Sequence, residues 1–89
     1  MAIYHVCYDL RRPGQNYQPV WDLLGGIGVK ATESAYLIDT PSTAVQVRDA
    51  LMRIVDANDR ILVTELSGSS WASQNLLPGA LQWLKARRP

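Results

Sequence analysis

The chain has 89 residues, 47% of them hydrophobic and 19% charged, with nine Lys and Arg against eight Asp and Glu for a formal charge of +1. That profile is globular, excludes a polycation that coats nucleic acid nonspecifically, and leaves phosphate binding to local patches. One cysteine, Cys7, excludes an internal disulfide, and no apolar run approaches the roughly 20 residues that span a bilayer.

Ile3 to Leu10 is rich in β-branched and aromatic residues and stops at Pro13-Gly14, which predicts a central strand. Side chains alternate along it, so Tyr4, Val6, Tyr8 and Leu10 form one face, suited to lie under helices. Ile3, His5, Cys7 and Asp9 form the other. The opening residues show no charged region followed by an apolar signal stretch, so an intracellular, cytoplasmic location is expected.

Asn16 is placed to cap a helix in which Tyr17, Val20, Trp21, Leu24 and Ile27 recur at helical spacing, with Pro19 in the first turn. Gly25, Gly26 and Gly28 end it. Because they follow a helix rather than open one, they read as a cap and turn and not as a phosphate loop. Val29 to Thr40 returns to strand character as a hairpin around Glu33-Ser34.

Thr40-Pro41 predicts the start of a second amphipathic helix, with Ala44, Val47, Leu51, Ile54 and Val55 on one face and Asp49 paired to Arg53 on another. Asn58-Asp59 makes a turn, Arg60 to Leu66 a last strand, and Ser67 to Ser70 a loop. Pro78 opens a short terminal helix with Leu81 and Leu84 facing inward and Trp83 flanking. Trp71 and Trp83 read as core or rim packing rather than base-stacking platforms.

The order strand, helix, strand, strand, helix, strand predicts an α+β, ferredoxin-like split βαβ fold in one domain over residues 1–89. Two helices cover one face of a four-stranded antiparallel sheet. The other face is expected to be bare, unless the short terminal helix folds across it, and to close against a second copy in a two-fold homodimer.

Asp9 is the residue that most needs explaining, because a carboxylate on a buried strand is costly unless paired, hydrogen-bonded or metal-bound. Capping the following turn is one account of it, metal binding the other. His5, Cys7 and Asp9 share a strand face, but neighbours there lie ~7 Å apart and the outer two ~13 Å, too far for one ion to take all three. His5 and Cys7 are therefore expected to pack at an interface. Arg11 and Arg12 are either solvated charges or a phosphate clamp, and they form a basic patch if Lys85, Arg87 and Arg88 meet them.

The runs Tyr8-Asp9-Leu10, Pro13-Gly14-Gln15-Asn16-Tyr17, Ser34-Ala35-Tyr36-Leu37-Ile38, Arg48-Asp49, Asn58 to Val63, Trp71-Ala72 and Trp83-Leu84-Lys85 closely resemble the small SinR-like proteins, in order and spacing, over nearly the whole chain. Through the Tyr-Asp pair, the Ser34 strand and the last strand, the chain is also distantly similar to the CRISPR-associated endonuclease that partners the CRISPR integrase, and to VapD ribonucleases. This resemblance implies a ferredoxin-like homodimer with facing sheets. It further implies that Asp9 and its symmetry mate hold Mg²⁺ for cleavage of RNA or DNA, with Ser34 assisting and Arg11 and Arg12 on phosphate. The chain departs from the CRISPR relatives in having a Gly-Ser loop and terminal helix where many of them exchange a strand. The alternative expectation is a non-enzymatic homodimeric interaction or regulatory module of the toxin-antitoxin type.

Overall fold

The computed structural model describes residues 2–10 and 16–87. Strand β1 (Ala2–Asp9) leads to helix α1 (Gln18–Gly25), the hairpin β2 (Gly28–Thr32) and β3 (Ala35–Thr40), helix α2 (Ala44–Met52), strand β4 (Arg60–Glu65) and helix α3 (Ala80–Arg87). The sheet order is β2-β3-β1-β4 with every neighbouring pair antiparallel, the ferredoxin-like arrangement.

The alternation along β1 sorts the interior. Tyr4, Val6 and Tyr8 meet Tyr36 and Ile38 of β3, Val20 and Leu24 of α1, and Val47 and Leu51 of α2 in the main core. Tyr8, Trp21 and Tyr36 pack ring to ring, with centroids 5.3 to 6.4 Å apart.

Local chemistry sets the helix ends. The cap residue of α1 is Tyr17, with no side-chain cap hydrogen bond, rather than Asn16; Asn16, one residue earlier, accepts the Gln18 amide on Oδ1 at 3.0 Å. Helix α2 starts later than Thr40-Pro41 implies, because Thr43 and Gln46 form a reciprocal capping box that satisfies two otherwise orphaned amides. Asp49 pairs with Arg48 at 2.8 Å rather than with Arg53.

The expectation of a bare second face is corrected. After β4 the chain crosses beneath the sheet, where Ala80 and Leu84 of α3 close on Ile3, Ala31 and Leu37, flanked by Val29, Leu66, Trp71, Leu76 and Trp83. Residues 80 and 84 lie one turn apart and so share a face; Leu81, expected inward, is only half-buried. Backbone bonds tie the segment down: the Leu66 amide to Ile3 O at 2.7 Å and the Leu77 amide to Ala31 O at 3.0 Å. Arg87 fastens the far end, its Nε donating to Asp39 Oδ2 at 3.1 Å while its guanidinium lies 4.0 Å from the Trp83 ring centroid. The apolar content of residues 66–84 is spent on a second core.

Candidate functional site

The cover stops short of the β1 C-terminal end. His5 and Cys7 are half-buried there, His5 opposite Leu37 and Thr64 and Cys7 opposite Ala35 and Leu62. His5 borders a cavity of about 140 Å³ beneath the C-terminal segment, between the sheet and residues such as Trp71 and Leu76. Leu62 is 63% exposed.

Asp9 closes this row at the end of β1 and is exposed, which corrects the premise that its carboxylate is buried. Arg60 lies opposite it in the register and donates from Nη1 to Asp9 Oδ2 at 3.4 Å. Both side chains are more than half exposed, so the pair contributes little: ~0–1 kcal/mol is usual for such contacts. Arg60→Ala is expected to move the unfolding free energy, read by urea denaturation, by no more than ~1 kcal/mol. A larger loss would mean that Arg60 supports the fold.

Ser34 sits in the β2–β3 turn at the same end of the sheet. Its carbonyl accepts the Tyr8 amide at 2.9 Å, and its own amide donates to Thr32 Oγ1 at 3.4 Å. The turn is thus tied to the residue before Asp9 through its backbone, and the Ser34 side chain is exposed. Arg11 and Arg12 lie outside the described residues, as does Arg88. Arg87, counted above as part of a basic patch, is occupied by Asp39 and Trp83.

Tyr8 is a titrating group that this end of the sheet perturbs. Burial, then the neighbouring Tyr36, Glu33 and Cys7, push its phenol from 10.0 up to about 12, and its hydroxyl donates to Glu33 O at 3.4 Å. The unfolded chain therefore loses this proton first, and stability falls as pH rises from 10.0 to about 12. Tyr8→Phe is expected to flatten that part of the stability profile, measured by urea denaturation across the window. An unchanged slope would refute the assignment.

Mg²⁺ keeps several of its waters and takes one or two carboxylates. Among the described residues no three His, Cys, Asp or Glu side chains gather, and the Arg60 guanidinium lies 3.4 Å from the Asp9 carboxylate. Arg60 was not among the site residues read from sequence. Its signal was topological: it opens the strand antiparallel to the one that Asp9 closes.

No protein-family model matches the chain, and no solved structure matches it. Among the described residues no helix is long and apolar enough to cross a membrane.

Proposed function

We propose that this chain is a non-enzymatic interaction module of the SinR-like kind, working in the cytoplasm by docking a partner on its sheet. The observation that supports it is the make-up of the open sheet end. Asp9 is matched by Arg60, Ser34 contributes through its backbone, and apolar side chains along the β4 edge and on the neighbouring α2, Leu62, Val45 and Met52, are all more than half exposed. Docking uses such a surface, whereas hydrolysis needs a second catalytic group beside Asp9. The module reading expects no cleavage of RNA or DNA oligonucleotides in Mg²⁺ or Mn²⁺, and no salt-sensitive retention of them. Cleavage by the wild type that Asp9→Ala abolishes would overturn it.

A second reading is favoured by one observation, that Asp9 stays accessible on the half of the face that α3 leaves uncovered. In that reading a homodimer binds RNA and cleaves it weakly. Asp9 carboxylates from two copies share Mg²⁺, Arg11 and Arg12 hold phosphate, and Ser34 donates a hydrogen bond. The same cleavage assay decides between the two readings.

A further inference from the structure

The two edges of the sheet are treated differently. At β2 the strand is short, bulged between Lys30 and Thr32, and its Ala31 carbonyl is taken by the Leu77 amide. Those are the usual protections of an edge against unwanted pairing. On β4 the charges stand only at the ends, Arg60 and Glu65, around an apolar Ile61-Leu62-Val63 centre with neither proline nor bulge.

The direction of its free groups follows from two hydrogen bonds. Leu66 N to Ile3 O and Tyr8 N to Ser34 O show that odd-numbered β1 residues bond toward β4 and even-numbered ones toward β3. Through the β1–β4 register, Arg60, Leu62 and Thr64 turn their backbone inward. The amides and carbonyls of Ile61 and Val63 therefore point outward, and among the described residues nothing pairs with them. Beside this edge run two adjoining grooves of about 240 Å³ each, the first floored by Met52, Val55 and Ile61, the second by Val45 and Val63, with Arg48 lining both. Val45, Met52 and Leu62 are 55%, 60% and 63% exposed.

We propose that β4 pairs antiparallel with β4 of a second copy, joining two sheets edge to edge around a two-fold axis at Leu62. This deepens the interaction-module reading, on which it rests, by naming the partner. An antiparallel strand edge is self-complementary under two-fold symmetry, and only registers that keep like faces together are allowed. With Leu62 on the axis, Ile61 meets the partner's Val63 on the helix side and Arg60 meets the partner's Thr64, so no like charges oppose one another from residue 60 to 64. The partner's Glu65 falls opposite Asp59, beside the groove that Arg48, Asp56 and Asp59 line. Asp59 at that end is already turned inward, accepting from the Tyr17 hydroxyl at 2.9 Å and the Asp56 amide at 2.8 Å.

Light scattering on the full chain over rising concentration, with amide exchange followed in parallel, tests the pairing. The expected result is a dimer in which the Ile61 and Val63 amides exchange about tenfold or more slower than in dilute protein. Leu62→Lys, at an exposed position the fold tolerates, is expected to weaken the dimer about tenfold or more by placing two cations on the axis. A monomer up to millimolar concentration overturns the proposal, as does a dimer whose Ile61 and Val63 amides keep their dilute rates, the mark of facing sheets. Neither result touches the module reading, which fails if Asp9-dependent cleavage or salt-sensitive oligonucleotide retention is found.

Discussion

Gly28→Ala is expected to destabilise the domain by ~3 kcal/mol or more, because backbone stands where the new methyl would go. A Cβ at position 28 would fall on the Leu37 carbonyl oxygen and lie 2.7 Å from Ile38 Cα and 2.8 Å from Ile38 Cγ2. None of these can step aside cheaply. Gly28 is the first β2 residue in the hairpin ladder, opposite Ile38, which is fully buried in the main core. Relieving the contact means separating β2 from β3 where the hairpin enters the sheet. For a domain of this length a loss of that size corresponds to a fall of ~12 °C or more in Tm. Gly25→Ala is the matched control: nothing lies within 4 Å of a Cβ built there, at the last residue of α1. It is expected to be neutral or mildly stabilising, through helix propensity. Equal melting temperatures for the two variants would refute the close approach at Gly28.

The second large effect is expected at Leu84. It is 2% exposed and, with Ala80, forms the contact of α3 with Ile3, Ala31 and Leu37. Leu84→Ala should cost ~2–4 kcal/mol, the transfer of the lost methyl groups plus the cavity left between helix and sheet. Half-buried Leu81, outside this core, is expected to lose ~1 kcal/mol or less on the same truncation. Thermal unfolding of the two variants, with dye binding to follow newly exposed apolar surface, reads the difference. If Leu81→Ala is the more damaging, α3 lies on the sheet by a different face. A large Leu84 effect also bears on function, because the covered half of the second face is then closed to a facing copy.

Strand order and helix placement were legible in the residues because each element carries its own period. Tyr4, Val6 and Tyr8 alternate, Val20, Leu24 and Val47, Leu51 recur at helical spacing, and Glu33-Ser34 interrupts a β-rich run. Those patterns are local and survive whatever the rest of the chain does. Asp9 could be singled out as a residue but not placed in its surroundings. Whether a strand-end carboxylate is buried depends on what crosses beside it, and Arg60 stands 51 positions away in sequence.

The course of residues 67–87 was settled only in three dimensions. Composition showed a polar loop and a weakly amphipathic helix; it did not show that Ala80 and Leu84 would find Ile3 and Leu37, nor that Asp39 would hold Arg87. A split βαβ sheet with one helical face was written in the residues alone, since periodicity dictates which side chains share a surface. What covers the opposite face and which edge stays open emerged only on folding, since contacts between distant segments depend on the path of the chain and not on any local repeat.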